Sequence, residues 1–270
     1  MLAVWSSALL FFLGAIFGSF LNVVISRTLA GKSWVKGRSE CDHCAHQLAW
    51  YDNIPLLSFL VLNGKCRYCR KKIDPTHLLL EVLTGLLFVW WWWVGFLFFK
   101  LSQQPLTLLQ PLFWLSIGMI LLVIVVADLK KMIIPNGAVI LLTVLTLAYR
   151  LILIKSGVMQ PADWWASLMA SLAVGGFFFG LWFFTKGKGM GFGDVKLVVP
   201  LGLLLGWPRI LVSFQLAFII GAVVGVALIL LGKHKLKKPI PFGPFLILGT
   251  VIGLVWGHQL TDWYLTLMGF

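Results

Sequence analysis

Apolar residues run in long, nearly unbroken stretches along most of the chain, at about 3–26, 78–99, 112–129, 133–154, 164–185, 195–207, 210–231 and 241–261. A helix needs about 20 such residues to cross the hydrocarbon core of a bilayer. The pattern therefore predicts an all-α polytopic membrane protein of about eight transmembrane helices. The first stretch, Ala3 to Ile25, is too long for the apolar core of a signal peptide, and no small-residue cleavage site follows it, so it reads as a retained span. Residues 27–77 break the pattern with turn formers, nine basic residues and all four cysteines of the chain. They predict a small polar domain inserted between a first helix, 1–26, and a seven-helix domain, 78–270.

Composition narrows the class. Hydrophobic residues make up 60% and charged residues 11% of the 270, whereas soluble domains are nearer 45–50% apolar and 25% charged. That excludes a water-soluble enzyme. The excess of 22 Lys and Arg over 9 Asp and Glu, a net +13, suggests a nucleic-acid partner only until the basic residues are placed. Eighteen of the 22 fall in 27–77, at Lys130 and Lys131, at Lys186, Lys188 and Lys196, and at Lys233, Lys235, Lys237 and Lys238. Only Lys100, Arg150, Lys155 and Arg209 fall in the alternate loops. Such asymmetry is how membrane proteins mark their cytoplasmic side. It predicts a cytoplasmic cysteine domain, both termini outside, a lipid bilayer as surroundings and no nucleic acid. The run Trp90–Trp93 reads as an interfacial aromatic belt, and Gly175, Gly176, Gly221 and Gly225 as close-packing points between helices.

Cys41 and Cys44 form one C-x-x-C, and Cys66 and Cys69 a second, 21 residues on. Two such pairs close a tetrahedral sulfur shell around Zn2+ and leave no open position, so the zinc is structural. Disulfides, an iron–sulfur centre and free thiols are the rival readings; a cytoplasmic location disfavours the first. A domain of about fifty residues has little core of its own and benefits from a metal staple. His43 and His46 stand beside the first pair and read as surface residues, four sulfurs being sufficient.

With carboxylates so rare, two at the edge of spans stand out. Asp128 ends the run WLSIGMILLVIVVAD, and Asp194 follows the glycine-rich KGKGMGFG. Counted at 1.5 Å per residue from Leu112 and from Trp207, they lie roughly 24 and 20 Å from the outer boundary of a core about 30 Å thick. Both sit a few ångströms below the cytoplasmic surface. Two carboxylates at one depth, sharing a proton, suit aspartyl hydrolysis: one takes a proton from water while the other donates to the scissile carbonyl. Helix polarity favours Asp194 as the anion and Asp128 as the acid. Gly191 and Gly193 allow close backbone approach, and Pro135 suits the start of the next helix. The plainer reading makes Asp194 a cap with Lys196 and Asp128 a partner of Lys130 or Lys131. Asn22 and Glu81 read as an interhelical hydrogen bond and an interfacial charge.

In sequence, FGSFLNVVISR (17–27), IPLLSFL (54–60), GKCRYC (64–69), DLKKMIIPN (128–136), GFGDVKL (191–197) and PFGPFL (241–246) together resemble the prepilin peptidases, the leader peptidases of type IV pili and type II secretion. The resemblance covers almost the whole chain. It implies a bacterial inner-membrane aspartyl endopeptidase with Asp128 and Asp194 as catalytic dyad and Gly191, Phe192 and Gly193 as the G-x-G-D loop. The implied partners are prepilins or pseudopilins, cut after a glycine at the end of a short basic leader. It also implies N-methylation of the new terminus from S-adenosylmethionine, with Gly64 and Lys65 linked to that transfer; no dinucleotide-type fold supports a cofactor pocket independently. An ion-coupled transporter using the two aspartates and a non-enzymatic pilus assembly factor are the alternatives.

Overall fold

The computed structural model describes residues 2–33, 37–93, 106, 109–232 and 239–267. Among these there is no strand, only two isolated β-bridges in the cysteine region. The helices are α1 (Leu2–Leu29), α2 (Leu57–Val61), α3 (Pro75–Trp90), α4 (Leu109–Lys131), α5 (Asn136–Lys155), α6 (Pro161–Phe184), α7 (Phe192–Leu205), α8 (Arg209–Leu230) and α9 (Gly243–Leu267), with a 3₁₀ turn at Trp50–Asn53. Lys36, Lys100, Lys233, Lys235, Lys237 and Lys238 lie outside the described residues, as does the 94–99 end of the second apolar stretch.

The chain forms two compact units, Met1–Val126 and Ala127–Phe270. In the first, α1 and α3 pair closely because Gly14, Gly18 and Gly85 leave no side chain between them: a Cβ on Gly14 would meet the Gly85 Cα at 2.8 Å, and one on Gly85 the Phe11 ring at 2.7 Å. This is the small-residue packing that membrane helices use in place of a hydrophobic driving force. Asn22 of α1 adds a hydrogen bond from its amide to the His77 carbonyl of α3, 3.0 Å long. Asp74 caps α3 by accepting the Thr76 amide at 3.0 Å, with Pro75 in the first turn. Trp91 and Trp93 donate to the Pro111 carbonyl and the Ser7 hydroxyl, both at 2.7 Å.

In the second unit α7 is central, packed by α5, α6, α8 and α9. Ten of its fourteen residues are buried. Seven helices have the length and composition of a membrane span among the described residues. The segment expected as an eighth span, 195–207, is the exception: at fourteen residues α7 is about 21 Å long, short of a full crossing. Its uniform apolarity reflects burial among helices on every side.

Arg150, expected in an outer loop, is instead buried in the last turns of α5. It donates to the Ser167 hydroxyl at 3.0 Å and reaches the Leu204 carbonyl of α7 at 3.5 Å, a cation at that helix's C-terminal end. Of the glycines expected at helix contacts, Gly175 and Gly221 are tight, with an added Cβ 2.9 Å from Val199 and 3.3 Å from Phe245. Gly225 has only ordinary contact and Gly176 faces open space.

Candidate active site and metal centre

Both singled-out aspartates lie in the second unit and are buried, with 5% of Asp128 and 6% of Asp194 exposed. Asp128 stands one turn from the end of α4. Asp194 is the third residue of α7, where its carboxylate takes the Gly191 backbone N–H. The two are close enough to act on each other electrostatically. Around them the backbone closes in. A Cβ on Gly243 would sit 2.7 Å from Asp128 Oδ2 and 3.5 Å from Ile134 Cδ1, and one on Gly193 would sit 3.2 Å from Ile134 Cβ. Ile134 is thus a shared wall, and the glycines on either side let α7 and α9 approach it.

The structure changes the acid–base reading. Asp128 Oδ2 accepts the Gly243 N–H, the first amide of α9, at 3.0 Å. The anion-favouring end of a helix therefore faces Asp128 as well as Asp194. Lys196, the expected companion of Asp194, donates instead to Asn136 Oδ1 at 2.5 Å and lies over the Phe192 ring. Phe192 itself is half exposed and meets Trp182 at 5.0 Å between ring centres.

In the first unit the four cysteines converge. Their sulfurs lie within 4.8 Å of one another, Cys41 and Cys69 at 3.9 Å. A tetrahedral shell with Zn–S bonds of about 2.3 Å needs sulfurs about 3.8 Å apart, so the set fits a metal ion of that size. No disulfide joins them. Each pair is carried by the same turn. The Ala45 N–H returns to the Cys41 carbonyl at 2.9 Å and the Cys41 N–H to His46; the Arg70 N–H returns to Cys66 at 3.0 Å and the Cys66 N–H to Lys71. Ala45 and Arg70, one place after each second cysteine, both take positive φ, 55° and 61°. His43 Nε2 is bonded to the Lys72 carbonyl and His46 stacks on Tyr68 at 3.7 Å, so neither points to the sulfurs as a ligand.

Burial opposes ionisation of Cys41, but the His43 and Cys44 amides and neighbouring sulfurs outweigh it and bring the thiol down to about 7. At Cys69 the Lys71 amide favours the thiolate, yet burial and the three other sulfurs push it up to about 11. Gly64 and Lys65 form the rung before the second pair: Gly64 has φ +66°, and an added Cβ would press on the Phe59 ring at 3.0 Å.

Two family models match the chain: the bacterial peptidase A24 N-terminal domain over residues 12–95 and the type IV leader peptidase family over residues 115–226. A prepilin leader peptidase/N-methyltransferase of Aeromonas hydrophila is 34% identical, over 96% of this chain and 93% of that protein. The chain belongs to the type IV leader peptidase family. Proteins of the same description from Pseudomonas aeruginosa and Bacillus subtilis are 32% and 29% identical, each over 96% of this chain and over 93% and 97% of their own lengths. No solved structure matches the chain. Membership makes it a multi-pass membrane peptidase.

Sequence reasoning missed two features here. The Gly243 amide on Asp128 joins positions 115 apart in the chain; the only local sign was Pro241 and Pro244 bracketing a glycine. Glu81, read as an interfacial charge, is 8% exposed and accepts the Leu56 N–H at 2.8 Å.

Proposed function

We propose that the chain is an inner-membrane aspartyl endopeptidase that removes the basic leader of type IV prepilins and pseudopilins after a glycine, and then N-methylates the new terminus. The observation that carries the reading is the pair Asp128 and Asp194, buried in one unit, each hydrogen-bonded by a helix N-terminal amide and within electrostatic reach of the other. The names of the relatives carry the substrate class and the second activity.

Two carboxylates within electrostatic reach of each other resist double ionisation, so one keeps its proton while the other is ionised. With an N-terminal amide on each carboxylate, neither is fixed as acid by helix polarity, and the dyad acts as a unit. The ionised member takes a proton from water as its oxygen attacks the scissile carbonyl carbon; the protonated member donates to the carbonyl oxygen. As the C–N bond breaks, the proton taken from water passes to the departing amine and the carbonyl re-forms. Gly191, Phe192 and Gly193 line the approach, the two glycines admitting an extended substrate backbone on either side of the Phe192 ring. Residues 78–270 make up the peptidase part.

Cys41, Cys44, Cys66 and Cys69 would hold a structural Zn2+ that staples the 27–77 insert; the insert lies on the cytoplasmic side, with both termini outside. S-adenosylmethionine supplies an electrophilic methyl carbon on a sulfonium. Bound to the chain, it would supply the methyl group for the new N-terminal amine, and Gly64 and Lys65 belong to the part of the chain that would serve this transfer.

The test is purified protein in detergent with a prepilin precursor, read by product mass. Loss of the leader with the wild type and not with Asp128→Asn or Asp194→Asn supports the dyad. Cleavage surviving at wild-type rate in either variant overturns it. A gain of one methyl mass on adding S-adenosylmethionine supports the second activity, and its absence removes that part alone.

A further inference from the structure

One cavity in the first unit takes no part in the cleavage chemistry. It has a volume of about 380 Å³ and is walled by the cytoplasmic end of α1, the start of α3 and the cysteine insert. Its chemistry is unusual for this chain. Five of the nine carboxylates in the entire sequence, Glu40, Asp42, Asp52, Asp74 and Glu81, line it. Lys32 offsets Glu40 at 3.3 Å, Arg67 offsets Asp52 at 2.8 Å and His77 lies 3.7 Å from Asp42. Glu81 differs: it is 8% exposed, and neutral donors, the Leu56 amide at 2.8 Å and the Ser19 hydroxyl, hold it, with His77 within electrostatic range. Beside it Asn22 is 4% exposed; its amide nitrogen is used by His77, while its carbonyl oxygen has no hydrogen-bond partner.

A buried carboxylate held by neutral donors, next to a buried acceptor with no donor, asks for a ligand carrying positive charge and N–H groups. Cavities of 300–1,000 Å³ hold ligands of cofactor size. Resting on the methyl transfer proposed above, we infer that this cavity is the S-adenosylmethionine site, with Asn22 accepting from an N–H of the cofactor and Glu81 facing its positive charge. S-adenosylmethionine has the required features: a sulfonium, an ammonium and an adenine amino group. Gly64 and Lys65 do not line the cavity. Gly64 acts through Phe59, which does: its missing Cβ leaves the ring its place in the wall.

Two measurements on the full-length protein in detergent test the site. Ultraviolet cross-linking of methyl-labelled S-adenosylmethionine, followed by peptide mapping, is expected to label peptides containing residues 19–30 or 77–81; label confined to other peptides overturns the assignment. Equilibrium binding is then compared for S-adenosylmethionine and S-adenosylhomocysteine, which lacks the sulfonium charge. The wild type is expected to prefer the charged ligand, and Glu81→Gln to weaken it by roughly tenfold or more while narrowing that preference. Asn22→Leu is expected to weaken both ligands alike. A general folding defect does not change a ratio of two ligands, and zinc content and melting temperature check the fold directly. Wild-type binding and methylation with an unaltered ratio in Glu81→Gln sink the cavity assignment and leave the methyltransferase reading intact. No binding and no methyl mass in the wild type remove both.

Discussion

At the scale of single residues, the space beside Asp128 is a tight constraint in the second unit. Gly243 supplies both the amide that holds Asp128 Oδ2 and the absence of a Cβ that would otherwise lie 2.7 Å from that oxygen. Gly243→Ala is therefore expected to push the carboxylate out of place, and a misplacement of about 1 Å costs roughly 100-fold in rate. The measurement is single-turnover cleavage of a prepilin, with zinc content as the check on the other unit; cleavage within twofold of wild type would show that Asp128 does not need this position. The two aspartates were legible in the sequence because acids are so scarce in it. The same scarcity pointed to residues 40–81, where five of the nine carboxylates fall. That signal went unread because a polar insert explains charges without a cavity, and only the fold brings Glu81 and Asn22 to one cavity.

Among the elements, the cysteine insert was the most legible, since C-x-x-C spacing dictates the turn that presents both sulfurs. What spacing does not give is the unequal ionisation of Cys41 and Cys69. Metal binding displaces whatever protons the ligands still hold. Above pH 7 the Cys41 thiol, at about 7, is already ionised and contributes no proton, while Cys69, at about 11, must lose one. Zinc affinity is thus expected to fall as pH falls throughout, and the slope of log affinity against pH to steepen by roughly one proton on passing below about pH 7. Competition against a chelator at pH 6, 7 and 8 measures this. A slope unchanged across pH 7 would mean that Cys41 does not ionise there. The least legible element was α7. Hydropathy cannot separate a short helix buried among helices from one that faces lipid, since both are apolar all round.

For the whole molecule, the basic residues set the orientation proposed above. Burial of Arg150 under Ser167 and Leu204 takes one of the four outer cations out of the loops, which sharpens the asymmetry. Thiols of the insert in metal-stripped cells are expected to react with a membrane-impermeant reagent only after the inner membrane is opened. Labelling in intact spheroplasts would reverse the assigned topology. The orientation proposed here rests on loop charge alone, while the division at Val126 was not readable in the sequence, because it falls inside the continuous helix α4.

The shortness of α7 bears on supply rather than on geometry. Inside a bilayer, water is the scarce reagent of hydrolysis, and a full-length span would carry its first residues out to the headgroups while walling the interior with hydrocarbon. A helix of about 21 Å leaves roughly 9 Å of the core thickness unfilled along its axis. If its far end is anchored by Arg150 at the Leu204 carbonyl, that deficit falls at the Asp194 end. Under the proposed function, the space that this short helix omits is a route by which water reaches Asp128 and Asp194 below the membrane surface.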